Sequence, residues 1–478
     1  MDELHQGTSE SSDLKATRRV TPSSLGSRIF RRRFGLDYAY VAGAMYRGIA
    51  SPELVIRMGK AGLIGFFGTG GLTLDQIERG IQRIQSQLRG GEPYGMNLLA
   101  NYGDPGGERK TVDLYLRYNI RNVEAAAFTQ MTPALVLFRL KGLRRDESGL
   151  VVCANQVIAK VSRPEVAEAF MSPAPQQIVQ QLLREGSISA AEAELGRTVP
   201  MSHDICVEAD SGGHTDGAIP TVILPTMVRL RDHILRERKY ADAVCVGLAG
   251  GIGTPEAAAA AFLMGADFIL TGSINQCTPE AGISEDAKRL LLEMNIQDTD
   301  YAPAGDMFEM GAKVQVLKKG VFFPARANKL YGLYSHFDSL GDLPDKIQQQ
   351  LQTTYFKRSF LDIWNDMRSH LEQEGRLSEI RKAELNGKYK MSLVFRWYFH
   401  YSTQLAFAGQ AEDRVNYQLH TGPALGAFNQ WVKGTDLEPL ANRHVDEIGK
   451  RLVIESARFT NNRYSSMAEL TRQESMGG

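Results

Sequence analysis

The chain is poor in cysteine, carries no charge imbalance and has no long apolar run. Its four cysteines, Cys153, Cys206, Cys245 and Cys277, show no CxxC spacing. Three sit inside apolar stretches, which fits buried thiols in a reducing compartment and argues against a disulfide frame or a cysteine-based zinc site. No metal is expected. Lysine plus arginine equal aspartate plus glutamate at 55 each, which removes the electrostatic case for a nucleic-acid partner. No apolar segment approaches the ~20 residues that span a bilayer, so no membrane partner is expected. Residues Met1 to Gly26 are rich in Ser and Thr, lack a hydrophobic segment and carry Asp2, Glu3, Glu10 and Asp13, unlike a targeting peptide. They read as a disordered tail, and the cytoplasm is the expected location. Arg31, Arg32 and Arg33 read as a solvated flank.

What is present is length, 478 residues, and a recurring strand–loop–helix pattern. Eight near-continuous apolar runs read as strands: Asp37 to Ala42, Leu63 to Phe67, Tyr94 to Leu99, Val123 to Phe128, Val151 to Val161, Asp204 to Glu208, Val244 to Leu248 and Phe268 to Leu270. Such runs suit a parallel sheet covered on both faces, and eight units suit closure into a barrel. The expected fold class is α/β, a (β/α)8 TIM barrel with an α-helical cap; an open doubly wound sheet is the rival. Expected bounds are a tail over 1–30, the barrel over 31–300, a helical cap over 301–410, helices that close the barrel over 411–465 and a flexible tail over 466–478. Ser51-Pro52-Glu53 and Thr254-Pro255-Glu256 read as capped helix starts, Thr73 to Leu88 and Val112 to Tyr118 as helices, and Ala302 to Gly311 as loop.

The strand ends carry the chemistry. Glu208-Ala209-Asp210-Ser211-Gly212-Gly213-His214 stops a strand in two glycines and presents a histidine where a flat ligand could lie close. His214 is the candidate catalytic residue, with Asp210 and Asp216 as candidates to orient it. Gly250-Gly251 and Gly272-Ser273 follow the last two strands and suit a phosphate, as in flavin-binding barrels. Asn97 is either a turn residue or a hydrogen-bonding group toward a flavin ring or ribityl chain. Lys160 is either a snorkelling lysine or a cation offsetting charge at a reduced flavin. Cys277 is a loop cysteine or, less favoured, a nucleophile.

These motifs resemble known proteins. Glu208 to His214 resembles the signature of the nitronate monooxygenase and flavin enoyl reductase superfamily, and Ala249-Gly250-Gly251-Ile252 its phosphate loop. Ala304 to Gly320, Phe323 to Tyr331 and Gly422 to Gly434 resemble the PfaD-type trans-acting enoyl reductases of polyketide and polyunsaturated fatty acid synthases. The resemblance implies FMN as cofactor, NADPH as reductant and an enoyl thioester on an acyl carrier protein as substrate, with a homodimer left open. It implies that Gly43, Ala44 and Met45 line the isoalloxazine, that Asn97 and Lys160 contact ring or ribityl, and that Gly212, Gly213, Gly250, Gly251, Gly272 and Ser273 cradle the cofactor and its phosphate. His214 would protonate the substrate's α-carbon. Cap residues Arg326, Lys329, Lys357 and Arg358 would face an acidic carrier. Rival readings are a nitronate monooxygenase-type oxidase, a non-catalytic carrier-docking subunit and an inosine-phosphate-dehydrogenase-like barrel using Cys277.

Overall fold

A computed structural model describes residues 19–476. Eight parallel strands close into a barrel: β1 (Tyr40–Ala42), β2 (Ile64–Phe67), β3 (Gly95–Leu99), β4 (Asn122–Ala126), β5 (Gln156–Val161), β6 (Asp204–Glu208), β7 (Cys245–Ala249) and β8 (Ile269–Thr271). Each pairs with its chain neighbour, and β8 returns to β1 with Tyr40, Val41 and Ala42 opposite Ile269, Leu270 and Thr271. This removes the open-sheet rival. Every strand lies within or beside its expected run, with one change. Val151–Val152 pairs instead with Arg144–Arg145 in a small antiparallel ladder, and only Gln156–Val161 enters the barrel.

The outer helices begin where polar caps meet the apolar pattern. They are α1 (Pro52–Lys60), α2 (Leu74–Gln87), α3 (Pro105–Arg117), α4 (Pro133–Leu140), α5 (Pro164–Met171), α6 (Pro220–Arg238) and α7 (Pro255–Leu263). Ser51 Oγ accepts from Leu54 N at 3.1 Å, and Thr73 and Gln76 form a reciprocal capping box. Helix α3 starts seven residues before the expected Val112, because Asp104 caps Gly107 N and Pro105 takes the first helical position.

Between β8 and the barrel's last helix the chain inserts its cap. A hairpin of β9 (Thr299–Pro303) and β10 (Lys313–Leu317) flanks the expected loop, of which only Ala302 and Pro303 join a strand. Helices α8 (Phe323–His336), α9 (Phe360–Gln373) and α10 (Gly387–Ala408) follow, then α11 (Pro423–Val432) and α12 (Val445–Met476). The cap has its own core, with Phe308, Phe323, Phe395 and Tyr398 fully buried. Helix α12 packs on α7, α1 and β1, so close that a Cβ at Gly449 would stand 2.5 Å from the Tyr40 ring. It takes the eighth helix's place in the outer ring. It also continues to Met476 where a flexible tail was expected; Gly477 and Gly478 lie outside the described residues.

The N-terminal expectation is corrected too. Residues 1–18 of the expected tail lie outside the described residues, but Arg28–Phe34 is a helix that plugs the barrel's N-terminal end. Phe30 stacks on Phe268 with ring centroids 4.1 Å apart. Arg33 is no solvated residue: it pairs with the fully buried Asp204, with Asp242 at 3.1 Å and with the Ala243 carbonyl at 2.7 Å. Burial alone would disfavour both charges, so each needs the other. No helix among the described residues is long and apolar enough to cross a membrane.

Arg33→Ala would leave Asp204 buried without its main cation, a cost of about 3–5 kcal/mol. The exposed neighbour supplies the control, Arg32→Ala changing stability by no more than ~0.5 kcal/mol. Urea midpoints compare the two variants, and equal midpoints would show that the plug's ion pair contributes nothing.

Candidate active site

The carboxyl ends of the strands bring the expected residues to one rim. Gly43 N donates to Thr271 O at 3.0 Å, tying the loop after β1 to β8. Ala44 N donates to Glu124 Oε2 at 2.9 Å, and the next residue, Met45, has its carbonyl packed against Gly68. Asn97 in β3 donates from Nδ2 to Glu124 O at 3.0 Å. The three late loops pack on each other. A Cβ at Gly212 would meet Ser273 Oγ at 2.8 Å, and one at Gly250 would meet Ala209 O at 2.5 Å. Gly250 also has φ +88, a conformation that strains any other residue.

The Gly250–Gly251 and Gly272–Ser273 corners share their space with a third element that sequence reasoning had quoted only as a motif. Helix α11 begins at Gly422-Pro423, with no side chain capping it. Gly253 packs against the Ala424 carbonyl, Gly212 lies against both Thr421 and Ser273, and α11 contacts the turn Ser273–Gln276, so α11 abuts both phosphate-type loops. A short extra helix whose N-terminus joins the loops after strands seven and eight is the usual TIM-barrel phosphate site. Beside Gly272, the direction a Cβ would take is open space. Gln276 and Gln315 each keep a buried amide oxygen without a hydrogen-bond partner. A flat, phosphorylated cofactor such as FMN fits these features.

Inside the rim lies a charge cluster. Lys160 Nζ stands 3.0 Å from Glu208 Oε1 and 3.6 Å from Glu124 Oε1. Burial disfavours its ammonium, but the two carboxylates outweigh this and hold the Lys160 pKa above its ordinary value. Lys160 is therefore a paired, largely buried lysine, its side chain 16% exposed, rather than a snorkelling one. Burial pushes the Glu124 carboxyl up despite Lys160, and its Oε1 has no hydrogen-bond partner. Glu124 was missed as a site residue, although a glutamate inside the apolar run Val123-Glu124-Ala125-Ala126 was the available signal.

His214 is presented by a second, unforeseen sheet. Gly213–His214 forms a two-residue strand antiparallel to β10, with His214 opposite Val314. The turn of the β9–β10 hairpin then carries Asp306 to the imidazole, with Nε2 to Oδ1 at 2.9 Å. This hydrogen bond raises the His214 pKa, against the smaller effect of burial. Burial would raise the Asp306 carboxyl, but the bond to His214 and the imidazolium charge hold it below its ordinary value. The expected orienting residues do other work. Asp210 accepts from Thr215 Oγ1 at 2.7 Å and Tyr301 OH at 2.5 Å, and Asp216 from Ser162 Oγ at 2.5 Å. Nearby His420 is pushed down to about 4 by burial and by the charge on His214, so it stays neutral near pH 7.

Other expectations change. Cys277 is fully buried, its thiol facing the Lys288 carbonyl at 3.9 Å, and burial pushes its pKa up to about 12. It is a packing residue, not a nucleophile. Of the four cap cations, Lys357 is held by Asp413 and Arg358 by Asp366 at 2.6 Å. Arg326 bonds Asn416 and stacks 4.8 Å over the Tyr355 ring, and Lys329 bonds Gln350 at 2.7 Å.

Known proteins share this arrangement. The nitronate monooxygenase family model matches residues 33–307, and the inserted helical domain of [acyl-carrier-protein] S-malonyltransferase matches 337–417. PksE of Bacillus subtilis strain 168, a polyketide biosynthesis protein, is 56% identical over 94% of this chain and 58% of its own length. ThaF of Burkholderia thailandensis, also a polyketide biosynthesis protein, is 55% identical over 93% of this chain and 38% of its own. The chain thus spans little more than half, or less, of these relatives. The crystal structure of the enoyl reductase domain of MlnA, from the macrolactin biosynthesis cluster of Bacillus amyloliquefaciens, superposes with TM-score 0.89 at 47% identity, covering 93% of this chain and all of that one. The chain belongs to the nitronate monooxygenase family, and within it to the PfaD-type enoyl reductases.

Asp306→Asn keeps the shape of the contact but removes its charge. The His214 imidazole should then titrate at lower pH, observed by NMR of histidine-labelled protein. An unmoved titration would separate Asp306 from the protonation of His214.

Proposed function

We propose that this chain is an FMN-dependent, NADPH-consuming, trans-acting enoyl reductase that saturates the α,β double bond of enoyl thioesters on an acyl carrier protein during polyketide or polyunsaturated fatty acid synthesis. The observation that carries this reading is the His214–Asp306 pair at the same rim as the Lys160 cluster and the phosphate-type loops. The enoyl reductase domain of MlnA and the polyketide proteins PksE and ThaF support it.

Saturation needs a hydride at Cβ and a proton at Cα. FMN, reduced by NADPH, supplies the hydride from N5 when bound. His214, whose protonated form the bond to Asp306 favours, donates the proton to Cα as enolate charge develops. Its side chain is about half exposed, 51%, so solvent can reprotonate it between turnovers. Lys160 offsets negative charge at the ring, with Glu208 and Glu124 tempering its field. Gly43, Ala44 and Met45 would present backbone to the ring, Asn97 would contact it, and Gly212, Gly213, Gly250, Gly251, Gly272 and Ser273 would hold ribityl and phosphate. The cap, which matches a helical domain from a protein named for its carrier, receives the acyl carrier protein. Because the His214 pKa is raised, activity should persist above the ordinary histidine range and fall as pH rises through that pKa.

The competing reading is an oxidase acting on nitronates, which the name of the matching family model favours. His214→Ala decides for the reductase. The variant should still be yellow and bleach with NADPH under nitrogen, but reduce a crotonyl thioester about 10²–10⁴-fold more slowly. Undiminished thioester reduction would remove His214 from the mechanism. Rapid oxygen uptake by the unaltered protein with a nitroalkane and no NADPH would replace the reductase with the oxidase.

A further inference from the structure

The loop after β1 ends in an arginine that the mechanism does not use. Arg47 has φ +50 and ψ 36, a left-handed backbone that non-glycine residues seldom adopt. Its neighbours enforce this: Arg47 N donates to Gly70 O at 2.8 Å and Gly48 N to Gly68 O at 2.7 Å. Glycine would suit the conformation better, so the side chain is what the position retains at the expense of strain.

That side chain is half-buried and, among the described residues, has no carboxylate within ion-pair distance of its guanidinium. The guanidinium lies 5.7 Å from the ring centroid of Phe407 on α10, and the Tyr46 hydroxyl feels its charge. His400, also on α10, feels its charge, and burial together with Arg47 lowers the His400 pKa, which keeps that ring uncharged. Tyr46 in turn lies close enough to Asp306 to feel its carboxylate. The cation therefore stands at the seam between barrel and cap, next in sequence to a tyrosine that feels the Asp306 carboxylate.

We propose that Arg47 binds the phosphate of an incoming ligand at this seam. A guanidinium offers a planar set of donors matched to phosphate oxygens, and a partly desolvated one without a counter-ion is poised to take one. Resting on the reductase reading, two ligands bring such a group: the phosphodiester of a carrier protein's phosphopantetheine arm, and the 2′-phosphate of NADPH. Both present the same chemistry to Arg47.

Arg47→Gln removes the charge, and Arg47→Gly removes it while relieving the backbone, so that folding is not in question. Flavin content and thermal midpoint should match the unaltered protein or, for Arg47→Gly, exceed it. Two comparisons separate the sources. Crotonyl phosphopantetheine is compared with the crotonyl thioester of N-acetylcysteamine, which lacks phosphate, and NADPH with NADH in anaerobic flavin reduction. If the carrier arm is the ligand, the KM for the phosphate-bearing thioester should rise about tenfold or more relative to the phosphate-free one. If NADPH is the ligand through its 2′-phosphate, its apparent Kd should rise by a similar factor relative to NADH. Equal changes across both thioesters and both nicotinamides, or none in any, would overturn the phosphate role. Failure of the unaltered protein to reduce either thioester would instead strike the reductase reading, leaving the NADPH comparison to judge Arg47 by itself.

Discussion

Barrel closure rests on the pairing of Tyr40, Val41 and Ala42 with Ile269, Leu270 and Thr271. Three residues on each side suffice because the interior behind them is filled: Val41, Ile64, Phe66, Phe268 and Leu270 are all buried there, and Phe30 stacks in from the plug helix. Without this closure the loops after β1, β6, β7 and β8 would fan out along an open edge. With it, Gly43 reaches the Thr271 carbonyl and Gly212 reaches Ser273. The mouth is thus a consequence of packing at the opposite end of the barrel.

The insertion after β8 turns that mouth into a site. Its β9–β10 hairpin pairs with Gly213–His214, fusing a cap element to a barrel loop through backbone hydrogen bonds. Such pairing positions a side chain far more tightly than side-chain contacts alone, because register sets both the height and the face of each residue. His214 and Asp306 meet across 92 positions of sequence because that register delivers them. Returning as α11, the chain brings a helix N-terminus to the two glycine corners before α12 completes the outer ring.

This division explains what could be read from the residues alone. Parallel barrel strands are continuous apolar runs ended by glycine or polar residues, so the eight strands and the glycine corners were legible. Resemblance then supplied the chemistry that spacing could not. Partners set by tertiary pairing stayed hidden. Asp306 sits in a turn that carries no mark of its bond to His214, and nearby Asp210 and Asp216 were more plausible orienters by position. Arg33 looked solvated because its partner Asp204 lies 171 residues on and its side chain belongs to a plug, not a flank. Glu124 was legible in principle, since an isolated acid within a buried parallel strand must find compensation.

Charge at the mouth is arranged by depth, and the order has a physical logic. Deepest lies the Lys160–Glu208–Glu124 cluster, where one cation is shared by two carboxyls and burial favours the protonated form of Glu124. That leaves little net charge against which a neutral ring or acyl chain would be forced. At the rim, the His214–Asp306 pair keeps a transferable proton without presenting a bare cation. At the seam with α10, Arg47 has, among the described residues, no carboxylate within ion-pair distance. On the proposed reading, an uncharged enoyl group would pass inward at small electrostatic cost, whereas the anionic end of a ligand would meet its cation at the seam. A salt-bridged Arg47 would lose that asymmetry, because an anion would then have to displace a carboxylate before binding.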